Sequence, residues 1–301
     1  MGHDKLRKFA ENKTFSCLLQ PAAEEVLDRS YDDAGLHLRP HPICGHWNEK
    51  MFDAPRPIVL ELGCGKGDYT IALAQRHPEY NYIGVDIKGA RLWKGAKFAT
   101  EHALGNVAFL RTRIEFIEAF FAPGEVSEIW LTFSDPQLKS ENSRLTSPLF
   151  LERYRRFLSP GGRVHLKTDS RFLYEYSLAT ARANGLTVLA ADTDIYTHSD
   201  MNGPIDMNGH TGMSGHTGMN GHVGMIRHSG PVPESFPPDL LTVQTFYEHM
   251  FLKMGLPITY LSFLLDREGA FVHPDDFDAD YWRTAEGPRR TFSHQPAPTV
   301  K

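Results

Sequence analysis

The feature that most constrains the fold is an alternation of short β-branched or aromatic runs with amphipathic helical patterns, which begins at about residue 57. Such alternation is typical of βαβ units, in which helices connect parallel strands and cover both faces of a sheet. Seven strands are predicted, at Pro57–Gly63, Tyr80–Ile87, Val107–Thr112, Ser127–Phe133, Gly162–Thr168, Leu186–Tyr196 and Ile258–Asp266. The sequence therefore predicts an α/β fold with a seven-stranded, mostly parallel sheet and helices on both faces.

The segments around this alternation differ in composition. Residues 1–56 are predicted to be an irregular N-terminal extension, residues 57–270 the main domain, and residues 271–301 a C-terminal tail. Within the domain, a stretch at about 199–230 repeats every six residues in units such as "MNGHTG". Because Gly, Asn, His and Ser dominate it and no core-forming pattern is present, we expect a flexible, low-complexity insertion between the last two strands.

Composition limits the class of protein. The 301 residues are 41% hydrophobic, which is enough for a full core, and no apolar run approaches the ~20 residues needed to span a bilayer. Cys17, Cys44 and Cys64 form no C-x-x-C pair, which fits a reducing compartment and predicts no metal site. A net charge of −5 argues against coating nucleic acid by bulk electrostatics, although local basic patches can still bind it. We expect a cytoplasmic protein with no membrane partner.

The most informative stretch is "VLELGCGKGDYT", Val59–Thr70. A strand runs into Glu61, glycines occupy positions 63, 65 and 67, and a helical pattern follows. Glycines there allow a tight turn and close approach of a ligand to the backbone. The E-x-G-x-G-x-G form differs from the dinucleotide G-x-G-x-x-G, and an acid ahead of the glycines would repel a pyrophosphate but suit an ammonium group. This disfavours a nicotinamide dehydrogenase and favours a methionine-type cofactor.

Two further acids follow predicted strands. Asp86 ends the second strand, where an acid commonly accepts hydrogen bonds from both ribose hydroxyls of an adenosine ligand. Together with Glu61 it makes S-adenosylmethionine the leading cofactor. Asp135 follows the fourth strand in "DPQLKSENSRLTSP", and Pro136 holds it on a stiff turn. Ligands bind outside the carboxyl ends of such strands, so we expect the Asp135 carboxylate to face the reactive end of the cofactor.

At this point the sequence resembles the bacterial tRNA (guanine-N7-)-methyltransferases, which have the Rossmann-like class I methyltransferase fold. The motifs are "ELGCGKG", "YIGVDIK", "FSDPQLK" followed by "RLTSPLFLERYRRFLSPGG", then "VHLKTDSRFLYEYSL" and "TFYEHMFLKMGLPI". They occur in the family's order between about residues 57 and 266. The resemblance implies methyl transfer from S-adenosylmethionine to N7 of a guanosine in the tRNA variable loop, with S-adenosylhomocysteine as the other product.

The resemblance also assigns residues. Asp135 would have a catalytic or positioning role and contact the cofactor. The resemblance assigns cofactor contacts to Glu61 and Asp86. From the residues themselves, we expect Gly63 and Gly65 to contact the cofactor through the backbone and Thr112 to hydrogen-bond the adenine. The resemblance assigns contacts to the guanosine or the tRNA to Lys139, Asp169, Thr245, Tyr247 and Glu248, and we expect a further tRNA contact from the basic side chain of Arg144. The partner would be tRNA, and the protein a monomer or a homodimer.

The sequence departs from the family in two places. The loop after Asp135 is less basic than usual and keeps only Lys139 and Arg144, so we expect weaker binding of tRNA phosphates there. Many members have an acid after the third strand, where this chain has Thr112 and Arg113. Two alternatives therefore stay open. One is a methyltransferase acting on another RNA or on a base amino group, and the other is a non-catalytic RNA-binding relative, which would bind cofactor without transferring methyl.

Overall fold

A computed structural model describes residues 2–198 and 233–287. The hexad insertion at about 199–230 and the end of the tail lie outside the described residues. The strands are β1 Leu18–Leu19, β2 Ile58–Leu62, β3 Asn81–Asp86, β4 Val107–Arg111, β5 Val126–Thr132, β6 Leu158–Thr168, β7 Val188–Asp192 and β8 Thr259–Leu264. The helices are α1 Gly2–Asn12, α2 Trp47–Lys50, α3 Asp68–Arg76, α4 Gly89–Glu101, α5 Pro148–Arg155, α6 Arg171–Ala183, α7 Phe246–Lys253 and α8 Ala279–Glu286.

The strands form one sheet in the order β1-β4-β3-β2-β5-β6-β8-β7. Strand β8 is antiparallel to both of its neighbours, and the other pairings are parallel. All seven predicted strands are present, with β7 shorter than its predicted range. Strand β2 lies between β3 and β5, so the chain changes direction across the sheet there. The carboxyl ends of β2 and β5 therefore flank the switch point at which α/β sheets bind ligands.

The two faces of the sheet carry separate hydrophobic cores, as the alternation along β2 illustrates. Leu60 and Leu62 point into the core that also contains Leu131, whereas Val59 points into the opposite core with Trp130. Helices cover both faces because each face buries one set of alternate residues. Glu61 lies on the Val59 face and is the polar exception in an otherwise apolar strand.

The prediction of an irregular N-terminal extension is wrong in part. Helix α1 packs on α4, where the Asn12 side-chain amide donates to the carbonyl of Gly89 at 2.8 Å and the Trp93 indole donates to Glu11 at 2.6 Å. Strand β1 then adds an eighth strand at the sheet edge beside β4. A two-residue strand has no periodicity to reveal it, and only its partner defines it. Within the described ranges, no helix combines the length and the apolarity needed to cross a bilayer.

Candidate active site

The turn between β2 and α3 is a glycine loop with open space beside it. Gly63, Gly65 and Gly67 have φ angles of +83°, +59° and +75°, in the left-handed region that other residues rarely adopt. The Gly63 amide donates to the carbonyl of Val85 at 2.8 Å, which holds the turn against β3. A Cβ added at Gly63 or Gly65 would meet no atom within 4 Å. The backbone of these two glycines is therefore accessible to a ligand.

Glu61 lies near the end of β2, before this turn, and is 5% exposed. One carboxylate oxygen accepts hydrogen bonds from the backbone amide of Thr70, at 2.9 Å, and from the Thr70 hydroxyl, and the other accepts from the Thr132 hydroxyl. Burial raises the pKa of Glu61 to about 7, although these hydrogen bonds act to lower it. A carboxyl group with such a pKa ionises readily when a cation comes near. The position therefore favours a positively charged ligand group.

Asp86 is the last residue of β3 and is 8% exposed. Its carboxylate accepts hydrogen bonds from the amide of Gly65 at 3.0 Å and from the amide of Lys88 at 2.7 Å. It thus ties the end of β3 to the glycine loop. Strands β2 and β3 are parallel neighbours, and Glu61 and Asp86 both lie toward their carboxyl ends. The structure brings the two acids to one edge of the sheet.

Asp135 is exposed on the loop after β5, between the buried residues Ser134 and Pro136. Its carboxylate accepts a hydrogen bond from the Gln137 amide at 2.9 Å. Phe133 and Gln137 flank it with φ angles of +51° and +49°, each a conformation that costs on the order of 1–3 kcal/mol in a non-glycine residue. The Phe133 amide is held by the carbonyl of Lys167 at 2.9 Å. The loop therefore has a defined shape that presents the carboxylate outward.

Helix α7 begins with a capping box. The Thr245 hydroxyl accepts from the Glu248 amide at 3.1 Å, and the Glu248 carboxylate accepts from the Thr245 amide at 3.2 Å. Glu248 also lies 2.6 Å from the ammonium of Lys167, and both side chains are 0% exposed. Tyr196 donates to Glu248 at 2.7 Å, and Lys167 donates to the carbonyl of Leu240 at 2.6 Å. This network fixes the start of α7 against the end of β6.

Two residues predicted to contact substrate are buried instead. Glu248 uses its carboxylate on the network just described. Arg144 is 3% exposed, and its guanidinium lies over the rings of Tyr176 and Phe172, 4.3 and 4.7 Å from their centroids. Burial lowers the pKa of Arg144. Neither side chain reaches the surface in this structure, and direct contact of either residue with substrate stays a prediction.

The other predicted residues lie along the carboxyl edge of the sheet. Thr112 follows β4 directly and is 8% exposed. Asp169 follows β6 directly and is partly buried. Lys139 is exposed on the loop after β5, and Tyr247 is 41% exposed on the first turn of α7.

Sequence reasoning missed the residues that hold the predicted ones in place. Thr70 and Thr132 orient Glu61, and Lys167 orients Glu248. A polar residue inside an apolar strand, such as Thr132 or Lys167, is the sequence signal that indicates a supporting residue. Its partner is set by packing between distant segments and has no local signature.

This structure has the features of a class I methyltransferase. They are a glycine loop flanked by Glu61 and Asp86, and a parallel sheet with one antiparallel strand, β8, next to its edge. A family model described as "Putative methyltransferase" matches residues 55–204. The chain belongs to the tRNA (guanine-N(7)-)-methyltransferase family. A relative of that name from Bacteroides thetaiotaomicron is 40% identical over 97% of this chain and 98% of its own, and one from Christiangramia forsetii is 42% identical over 86% and 97%.

Among solved structures, the 16S rRNA methyltransferase KamB aligns with 74% of this chain and 90% of its own, at 13% identity and a TM-score of 0.45. A similarity at this level of identity and TM-score does not indicate what this chain acts on.

Proposed function

We propose that this protein transfers a methyl group from S-adenosylmethionine to N7 of a guanosine in the variable loop of tRNA. The observation that supports this most is that Glu61, Asp86 and Asp135 lie at or just after the carboxyl ends of three neighbouring parallel strands, beside an open glycine loop, in a chain whose relatives are named for this reaction. We place the activity in the cytoplasm, with tRNA as the partner.

The methyl donor, S-adenosylmethionine, would be held by residues that suit its ammonium, ribose and adenine groups. Glu61 would pair with the ammonium of the methionine moiety, for which its raised pKa and buried carboxylate are suited. Asp86 would accept hydrogen bonds from the ribose hydroxyls, and the open backbone at Gly63 and Gly65 would allow close approach. Thr112 would meet the adenine. S-adenosylmethionine, when bound, supplies an electrophilic methyl group on a sulfonium centre.

The acceptor chemistry requires no general base. N7 of guanine has an in-plane lone pair and no proton, so catalysis is mostly alignment of the acceptor with the methyl carbon. Positive charge moves to the base during transfer. The exposed Asp135 carboxylate, on its rigid loop, would hold donor groups of the base and stabilise that charge without taking a proton. Asp169 lies at the end of β6, next to β5, and would assist.

Some of the remaining residues would contact the tRNA, and the others would hold the site in shape. Lys139 and Tyr247 are exposed and would meet the tRNA, and Thr245 stands at the start of α7. Glu248 would act through α7, whose first turn it fixes, and Arg144 would support the loop after β5 from inside.

The experiment is incubation with methyl-labelled S-adenosylmethionine and two tRNA transcripts, one with the variable-loop guanosine and one with adenosine there. We expect label as N7-methylguanosine in the first transcript alone. Cofactor binding without labelling of either transcript would refute the proposal and favour a non-catalytic RNA-binding relative.

A further inference from the structure

Helix α7 presents two large aromatic side chains that folding does not bury. Phe246 is 52% exposed and Tyr247 is 41% exposed, and their rings meet edge to face with centroids 5.7 Å apart. The ammonium of Lys66 lies 5.6 Å from the centroid of the Phe246 ring. The two adjacent rings form a contiguous apolar patch on the first turn of α7, and such a patch is available for contact with a partner.

The position of Phe246 relates it to the candidate site. Lys66 belongs to the glycine loop, between Gly65 and Gly67, so its contact places the Phe246 ring beside that loop. Further along α7, Phe251 packs against Phe133, with ring centroids 5.9 Å apart, two residues before Asp135. Side chains of α7 therefore contact residues that follow both β2 and β5, and Phe246 is the one in contact with the glycine loop, through the Lys66 side chain.

The buried network explains how this ring is kept in place. Phe246 follows the cap residue Thr245 directly, and the capping box with Glu248 fixes the first turn. Glu248 is in turn held by Lys167, at the end of β6. The backbone that carries Phe246 is therefore fixed before any partner binds, which lowers the entropy cost of binding.

We propose that Phe246 stacks on the target guanine, an inference that rests on the proposed function. A base that reaches a donor in a protein site leaves its own stack, and an aromatic ring replaces the lost stacking. The guanine N7 lone pair forms the new bond to the methyl carbon as the methyl–sulfur bonding pair passes to sulfur. The base becomes a cation and the sulfur a neutral thioether. The π face of Phe246 attracts cations, so it stabilises the charged base more than the neutral one.

The test compares Phe246→Leu, Phe246→Tyr and wild type in steady-state methylation of the guanosine transcript. Loss of one base–aromatic stack predicts that kcat/KM for tRNA falls by about 5- to 150-fold in Phe246→Leu. Phe246→Tyr, which keeps the ring, should stay near wild type, and the dissociation constant for S-adenosylhomocysteine should not change in either. Tyr281→Leu, at an aromatic that is 60% exposed on α8, is the matched control and should match wild type.

A spectroscopic arm separates stacking from a structural role. In Phe246→Trp, we expect 7-methylguanosine monophosphate to quench the added tryptophan fluorescence more than guanosine monophosphate does, relative to wild type. Phe246→Leu activity within twofold of wild type, or equal quenching by the two nucleotides, overturns the stacking role while leaving the proposed function intact. A wild-type protein that makes no N7-methylguanosine overturns the proposed function, and the inference with it.

Discussion

Cofactor affinity should depend on pH through Glu61. Its pKa of about 7 in the free protein reflects burial, and a cationic ammonium binds the ionised form. If only that form binds, the apparent dissociation constant scales as 1 + 10^(pKa − pH), so lowering the pH from about 7 to about 5.5 should weaken binding about fifteen-fold. The assay is isothermal titration of S-adenosylhomocysteine, which has the same ammonium group and is stable, across this pH range.

Two variants test whether Glu61 is the group responsible. Glu61→Gln has no charge to titrate, so its affinity should be weaker at pH 7 and nearly independent of pH. Thr132→Val removes a hydrogen bond that lowers the pKa of Glu61, so the pH midpoint of binding should move upward. A Glu61→Gln protein with the same pH slope as wild type would refute this account of the cofactor site.

Three further predictions concern the other residues of the site. Lys167→Met should lower the free energy of unfolding by about 3–5 kcal/mol in urea, because it leaves the Glu248 carboxylate buried without its cation, and a change near zero would contradict this. Asp135→Asn should keep the affinity for S-adenosylhomocysteine but lose most turnover in single-turnover assays, and full activity would remove Asp135 from the mechanism. Lys139→Gln should reduce the slope of log tRNA affinity against log salt by about one phosphate contact. Arg144→Gln should leave that slope unchanged and lower the melting temperature, because Arg144 is buried. A reduced slope with an unchanged melting temperature in Arg144→Gln would instead support Arg144 as an RNA contact.

The sequence predicts the sheet well because each parallel strand is buried on both faces and appears as a continuous apolar run. Since adjacent parallel strands end at one edge, the predicted sheet also places Glu61 and Asp86 at the same edge, as the structure does. The sequence does not predict β1, which is defined by pairing alone. The burial of Arg144 depends on rings from α6 and from the segment before α8, which no local pattern near residue 144 indicates.

Glu248 illustrates a different limit. The spacing of Thr245 and Glu248 matches the capping-box signature, so the sequence alone was sufficient to predict a structural role for the carboxylate. The sequence does not indicate that the buried partner of the Glu248 carboxylate is Lys167. Lys167 lies on a distant strand, and a lysine there is as compatible with a solvent-exposed or catalytic position as with a buried ion pair.

The proposed acceptor atom is N7 of one guanosine, and a single-atom change in the tRNA tests this directly. A tRNA assembled with 7-deazaguanosine at the variable-loop position keeps the shape and pairing edge of guanosine but has carbon in place of N7. With methyl-labelled S-adenosylmethionine, we expect label as N7-methylguanosine in the unmodified tRNA and none in the 7-deaza tRNA. Equal labelling of the two would contradict this proposal, because the methyl group would then be on another atom or another nucleotide.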